Sequence, residues 1–267
     1  MFRFWLLLGL IPLLVACDRA ESPAQAAGPS PRVVSLSPAV TSTLAEMGLA
    51  TSLRGRTPWC IAVGQVPVLG SMDDVDLERL VAAEPELIVI QRTVRGPPAE
   101  LLHAATAHGW RVEQVDCESL GDMRELGPRL ASLMGKSQAA SALSARWDGV
   151  TRPPAGVRPG ERVAMLLPGP ELRAFGEGSY LADLWRAWGG RTWPDMSGWP
   201  AVQLEDVVAA KPDRVIVVGG QASEALVSAL APRGIPVESL PDAGLLRPGP
   251  ELLQAIETWR GRLERAP

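Results

Sequence analysis

The sequence predicts an α/β protein of two similar α/β lobes joined by one long backbone helix, with a cleft between the lobes. A first observation is that "LERLVAAEPELIVI" at residues 77–90 is nearly repeated as "LEDVVAAKPDRVIV" at residues 204–217, each typical of a helix followed by a buried strand. Short β-like runs also alternate with amphipathic stretches in both halves, which favours largely parallel sheets. Residues 118–150, between the halves, contain no strand-like run.

The first lobe is predicted to occupy residues 32–117. It opens with the strand "RVVSL", and the helix "SPAVTSTLAEMG" follows, with Ser37 as its N-cap, Pro38 in its first turn and Gly48 as its stop. The remaining elements are expected as a strand at 53–56, the helix and strand at 77–90, a helix at 98–108 and a strand at 111–115.

The connecting helix and the second lobe complete the prediction. Apolar residues recur at helical spacing through residues 118–150, which predicts the connecting helix, with a kink at Gly127-Pro128. The second lobe, residues 151–267, is expected to contain a strand at 162–167, a helix at 179–190, the repeated helix and strand from 204, a strand at 236–240 and a helix at 250–262.

The N-terminus has the pattern of a secretory signal over residues 1–16, with Arg3 before an apolar run too short to span a bilayer comfortably. The end of that run, "LVAC", resembles the lipobox of bacterial lipoproteins, which makes Cys17 the lipidated residue; an ordinary signal peptide is the alternative. Asp18 resembles the signal that keeps lipoproteins in the inner membrane. Residues 17–31 lack large apolar side chains and are expected to be a flexible tether. We therefore expect a periplasmic protein that is held at the membrane by its lipid alone.

Composition narrows the classes of partner. With 46% hydrophobic and 21% charged residues the chain has the composition of a globular protein, and 26 basic against 30 acidic residues argue against binding to nucleic acid. Outside the cytoplasm Cys60 and Cys117 can pair, so a disulfide is predicted, with two buried free thiols as the alternative.

Catalytic and metal-binding motifs are missing from the sequence. It contains no GxSxG, HExxH, P-loop or GxGxxG pattern, so no enzyme is expected, although a secreted hydrolase or transferase stays open as an alternative. His103 and His108 are five residues apart and do not share a helical face, so no metal site is expected.

Three segments carry a family resemblance. They are "RVVSLSPAVTSTLAEMG" from residue 32, "TPWC" at 57–60 and "VPVLGSMDDVDLERLVAAEPELIVI" at 66–90. Their order and spacing resemble the periplasmic-binding-protein family of ABC importers for cobalamin, haem and ferric siderophores. The resemblance implies a monomer that docks on a permease dimer through one surface glutamate from each lobe, Glu78 and Glu205. The alternative is that each glutamate only complements its helix dipole.

Aromatic residues suggest where a ligand binds. Among nine Trp, three Phe and one Tyr, four Trp fall in helical stretches and are expected in the core: Trp147, Trp185, Trp188 and Trp259. Trp59 and Trp199 fall in predicted loops, where packing over their own lobe is the alternative to ligand contact. The resemblance places both at aromatic positions of cobalamin binders. The predicted ligand-binding residues are Trp59, Met72, Phe175, Tyr180 and Trp199.

The resemblance implies a metal-chelate cargo and no resident cofactor, so cobalt or iron would enter only within the ligand. A corrinoid is the first expectation, because its broad apolar faces suit aromatic side chains. Met72 departs from this pattern, since it stands where a cobalamin binder can carry Trp. Haem and an anionic ferric siderophore remain alternatives, the latter because five arginines lie near predicted strand ends: Arg54, Arg56, Arg92, Arg95 and Arg173. A ligand-sensing or scaffold lipoprotein is a further alternative.

Overall fold

The first lobe of the computed structural model contains a four-stranded parallel sheet in the order β2-β1-β3-β4. The structure describes residues 30–265, so the predicted signal, Cys17 and nearly all of the tether lie outside the described residues. The strands are β1 Val33–Ser35, β2 Leu53–Arg56, β3 Leu87–Gln91 and β4 Arg111–Val115. The helices are α1 Pro38–Glu46, α2 Leu77–Ala82 and α3 Ala99–His108.

Helix α1 begins and ends as the sequence predicted. The side chain of Ser37 caps it by accepting a hydrogen bond from the backbone N–H of Val40 at 3.5 Å, and Pro38 is its first residue. Gly48, just past the helix, has a φ of 73°, which glycine adopts without a steric penalty. Ser37 and Pro38 therefore fix the position at which α1 begins. The same end of α1 forms part of the cleft between the lobes.

The connecting segment is two helices, and the prediction of one long helix is wrong. Helix α4 spans Leu120–Leu133 and α5 spans Ser141–Val150. Gly135, with a φ of 63°, ends α4 in a Schellman motif in which its N–H donates to Ser132 O at 3.0 Å and the N–H of Lys136 donates to Ala131 O at 2.8 Å. The chain then turns and α5 packs against α4, while Pro128 lies inside α4.

The second lobe contains a five-stranded sheet in which β5 is central. Its strands are β5 Arg162–Leu167, β6 Arg173–Ala174, β7 Arg191–Trp193, β8 Arg214–Val218 and β9 Val237–Leu240. All pairs are parallel except β5 with β6. The helices are α6 Tyr180–Ala187, α7 Leu204–Ala210, α8 Glu224–Leu230 and α9 Pro250–Arg265. The prediction missed β6, β7 and α8, which are short.

The repeated segment forms the same unit in both lobes, as predicted: α2 leads into β3, and α7 leads into β8. Even the turn between helix and strand matches. Glu84 and Lys211 stand at equivalent places before a proline, and both have a left-handed backbone, with φ values of 44° and 47°. Two lobes built on this unit give the predicted α/β architecture.

The largest apolar cluster is continuous from the first sheet, through α4 and α5, into the second sheet and α9. The four helical tryptophans expected in the core are all buried there. Trp185 stacks on Trp259 with a centroid distance of 6.0 Å, and Trp188 lies 5.1 Å from the same ring. Because this cluster crosses between the lobes, it resists their separation.

Candidate functional site

A cavity of about 370 Å³ lies between the two lobes. The first lobe supplies the start of α1 and the loop at residues 58–62, and the second lobe supplies residues 246–248 and the first turn of α9. The lining side chains are mostly apolar, with a few polar groups among them: Pro38, Thr41, Ser42, Pro58, Trp59, Cys60, Ile61, Ala62, Leu246, Arg247, Pro248 and Glu251. This composition and volume are those of a small-molecule site.

Two large apolar side chains stand exposed at the first-lobe wall. Trp59 has 63% of its surface exposed and Ile61 has 66%. Both follow β2, at the carboxyl end of the parallel sheet, where α/β folds bind ligands. An exposed aromatic ring beside a cavity offers contact area to a flat apolar ligand.

Tyr180 lies behind the second-lobe wall of the cavity and supports it. Its hydroxyl donates a hydrogen bond to Leu245 O at 3.0 Å, just before the lining residues 246–248. Tyr180 is 3% exposed, and this burial raises the pKa of its phenol. Tyr180 therefore supports the wall, and the structure does not place it in contact with the cavity.

Arg247 and Glu251 bring charge to this wall, and the sequence analysis missed both. Arg247 is exposed, whereas the Oε2 atom of Glu251 is buried and has no hydrogen-bond partner among the described residues. The signal for them was "RPGPE", a stretch rich in Pro and Gly that leads into the last helix. Their place in the cleft depends on how the lobes pack.

Trp199 does not share the cavity with Trp59. It is half-buried in the second lobe, with its ring centroid 4.4 Å from that of Phe175 and 5.6 Å from that of Tyr180. Phe175 is completely buried. Met72 is half-buried against the apolar cluster of the first lobe. Of the five predicted ligand residues, the structure places only Trp59 in the lining of the cavity.

The arginines that a siderophore would use are largely committed to other partners. Arg92 pairs with Asp116 at 2.8 Å, and Arg173 pairs with Glu171 at 2.5 Å. Arg56 donates only to backbone carbonyls of its own loop. None of the five predicted arginines lines the cavity, where Arg247 is the arginine present.

The two described cysteines are free and buried, which contradicts the predicted disulfide. The sulfur of Cys60 lies 3.0 Å from Thr41 Oγ1 and 3.1 Å from Thr57 Oγ1, at the cavity wall. Cys117 belongs instead to the interlobe apolar cluster. Burial, followed by the nearby carboxylates of which Asp122 contributes most, raises the pKa of the Cys117 thiol to about 12.

Glu78 and Glu205 occupy equivalent exposed places on α2 and α7, in the first turn of each helix. Neither carboxylate forms an ion pair with any residue between 30 and 265. Asp76 and Asp206 make the local capping contacts, to Arg79 N at 3.0 Å and to Gln203 N at 3.1 Å. The two glutamates are therefore free of these capping bonds.

Within the described part of the chain no group of three or more His, Cys, Asp or Glu side chains is arranged to hold a metal ion. Among these same residues, none of the helices has the length and apolar character needed to cross a membrane.

Two similar α/β lobes around a small-molecule cleft are the architecture of a two-lobed ligand-binding protein. Residues 33–229 match the family described as "Periplasmic binding protein", and the chain belongs to this family. Its members are binding proteins of ABC importers, so the chain binds a small molecule and acts with a permease on the extracytoplasmic side.

The individual proteins to which this chain is similar have low sequence identity to it. The chain is 26% identical over 204 residues to the vitamin B12-binding protein of Salmonella typhimurium, which covers 74% of this chain and 75% of that protein. The periplasmic heme-binding protein BhuT, solved with two hemes, shares 23% identity and a TM-score of 0.67 over 88% of this chain and 98% of its own. The periplasmic vitamin B12-binding protein BtuF of Vibrio cholerae shares 18% and a TM-score of 0.62, over 89% and 99%. At these identities the structural matches establish the fold alone.

Proposed function

We propose that this protein captures a corrinoid and delivers it to the permease of an ABC importer. The observation that supports this most is the interlobe cavity, whose lining is mostly apolar and whose rim carries the exposed Trp59. A corrin ring has broad, largely apolar faces that such a wall can cover. The vitamin B12-binding relative, at 26% identity, points the same way.

Charge in the cleft argues against the anionic alternatives. A ferric siderophore or the propionates of haem would be favoured by several free arginines, but the cavity lining contains one arginine and one carboxylate, Arg247 and Glu251. A corrinoid is uncharged over most of its periphery, where amide groups predominate. This wall therefore suits it better than it suits a polyanion.

Delivery would use the two matched glutamates. Glu78 and Glu205 are exposed, unpaired with described residues, and placed on equivalent helices of the two lobes. This arrangement fits a partner with one basic pocket for each lobe, as a permease dimer offers. The lipid anchor at Cys17 would hold the protein at the periplasmic face of the inner membrane, close to that partner.

Calorimetric titration of the purified protein identifies the ligand. The compounds titrated are cyanocobalamin, cobinamide, haemin and a panel of ferric siderophores. Binding of a corrinoid, weakened by Trp59→Ala, is the expected result. Trp110→Ala is the matched control, because Trp110 stacks on His108 with a centroid distance of 4.7 Å and does not line the cavity. Binding of haemin or a siderophore with no response to either corrinoid would overturn the proposal, and turnover of a bound compound would favour the enzyme alternative.

A further inference from the structure

Most side-chain hydrogen bonds to the backbone of the loop that carries Trp59 come from one neighbouring residue, Arg56, while the side chain of Cys60 in the loop contacts Thr41 Oγ1 of α1 at 3.0 Å. The Arg56 guanidinium donates four hydrogen bonds, and all four acceptors are backbone carbonyls of the loop: Thr57 O at 3.1 Å, Cys60 O at 3.1 Å, Gly64 O at 3.4 Å and Val66 O at 2.8 Å. A guanidinium has five N–H donors, so this loop takes up most of its capacity.

The geometry of these bonds centres on Trp59. One nitrogen, Nη1, donates to the carbonyls of both Thr57 and Cys60, the residues that bracket Pro58 and Trp59. Trp59 as a whole residue is 63% exposed, and its ring does not stack on another described aromatic residue. The loop backbone sets the direction of the Trp59 Cα–Cβ bond, and Arg56 bridges that backbone on both sides of Trp59.

The charge of Arg56 takes part in no other interaction among the described residues. Within residues 30–265 it pairs with no carboxylate, and it does not line the cavity. Ordering a mobile loop at the moment of binding costs affinity, whereas a loop ordered beforehand avoids that cost. Four bonds from one rigid, planar group are well suited to order this loop in advance.

We propose that Arg56 is a positioning residue for ligand binding, which fixes the loop at residues 57–66 so that Trp59 is presented to the cleft. This rests on the proposed function, because it takes Trp59 as a ligand contact. Arg56 then acts through the loop and does not touch the ligand.

The first test measures the loop without any ligand. Arg56→Met removes the N–H donors and keeps an apolar side chain of similar length. Arg56→Lys keeps the positive charge but loses the planar guanidinium and its several donors. Arg54→Met is the matched control. Arg54 lies two residues earlier on β2, is exposed, and donates to Thr51 O and Leu53 O, outside the loop. In hydrogen exchange followed by mass spectrometry, amides of residues 57–66 should exchange faster in both Arg56 variants. Unchanged exchange in that loop would overturn the proposal.

The second test is a double-mutant cycle on affinity for cyanocobalamin. Arg56→Met should weaken binding by roughly threefold to tenfold, the cost of ordering one loop and its side chain, and Arg56→Lys should weaken it less. In a Trp59→Ala background Arg56→Met should cause little further loss, because the residue it positions is gone. Equal losses in both backgrounds would refute a role through Trp59. If Arg56→Met does not fold, as judged by circular dichroism, Arg56→Lys takes its place in the cycle.

The two proposals fail in different ways. A wild-type chain that binds haemin and not cyanocobalamin would contradict the corrinoid assignment, and the same cycle is then run with haemin. A chain that binds neither would contradict the proposed function, and the exchange measurement would still decide whether Arg56 orders the loop.

Discussion

Arg146 of α5 and Glu257 of α9 form a two-point ion pair, with Nε 3.0 Å from Oε1 and Nη2 2.9 Å from Oε2. The same guanidinium reaches Glu46 at the end of α1, with Nη1 2.6 Å from Oε1. Its hydrogen bond with Glu257, ahead of the other contributions, raises the pKa of Arg146. One side chain of the connecting segment thus joins the first lobe to the second, beside the helices that line the cavity.

The first prediction concerns this junction. Arg146→Met should lower the free energy of unfolding by about 1 kcal/mol, a modest loss because all three side chains are about a third or more exposed. Arg124→Met is the matched control, since Arg124 pairs only within the connecting helices, with Asp148 at 2.6 Å. Urea denaturation gives the energies, and X-ray scattering should show a larger radius of gyration only for Arg146→Met. Equal effects of the two variants would mean that the junction does not restrain the lobes.

The second prediction concerns the break between α4 and α5. Gly135→Ala should lower the free energy of unfolding by about 1 kcal/mol, because alanine is strained at a φ of 63°. Gly149→Ala is the control: an added Cβ in α5 has no neighbour within 4 Å, so it should raise stability by up to about 1 kcal/mol. A neutral Gly135→Ala would argue for a continuous helix in solution.

The start of α1 and the duplicated unit could be predicted from the sequence because their determinants are local. Ser37, Pro38 and the repeated "LE" segments act within a few residues of their own helices. The break in the connecting segment was missed because apolar residues keep helical spacing on both sides of it, from Leu130 to Leu143, and Gly135 is a weak local signal. Short helical pieces that stack give the same periodicity as one long helix.

The cleft could be predicted only from its first-lobe side. Trp59 follows a strand of the parallel sheet, and that rule located it correctly beside the cavity. Residues 246–248 and Glu251 join the same cavity through packing between the lobes, which no local pattern encodes. Phe175 and Tyr180 were chosen as aromatic ligand contacts, yet they are buried beneath Trp199, where they serve the second-lobe core.

The third prediction concerns the cysteines, in a Cys17→Ser chain. Neither thiol should react quickly with a disulfide reagent near pH 8, because Cys60 and Cys117 are only 2% and 3% exposed and because burial raises the pKa of the Cys117 thiol to about 12. Two free thiols should titrate in concentrated guanidinium chloride without reductant. A count of zero free thiols would mean that Cys60 and Cys117 form a disulfide after all.

The pKa of Cys117 also predicts how stability depends on pH. Because the unfolded thiol ionises from about pH 9 while the folded one keeps its proton, this group should lower stability as pH rises from about 9 towards 12. A Cys117→Ala chain should lack this contribution.

The fourth prediction separates docking from helix stabilisation. Replacing both Glu78 and Glu205 by Ala should abolish uptake of the ligand by cells while leaving its affinity within a few-fold of wild type, since both residues are exposed and neither lines the cavity. Glu100 and Glu224 occupy the first turns of α3 and α8 and are also exposed, so their double change to Ala is the matched control. Equal loss of uptake in both pairs, or loss of ligand binding in the first, would show that these glutamates do not form the docking surface.

The fifth prediction uses the different burial of the two candidate ligand tryptophans. Trp59→Ala should change the free energy of unfolding by less than about 0.5 kcal/mol, because the residue is 63% exposed, and should weaken corrinoid binding by about tenfold or more through lost contact area. Trp199→Ala should cost about 2 kcal/mol of stability, because its ring covers Phe175 and Tyr180 at 4.4 and 5.6 Å. Trp199→Phe should recover much of that stability, since a smaller ring can still pack there. If the ligand extends beyond the cavity of about 370 Å³ to Trp199, Trp199→Phe will also weaken corrinoid binding; unchanged affinity in this stable variant would confine the site to the wall around Trp59.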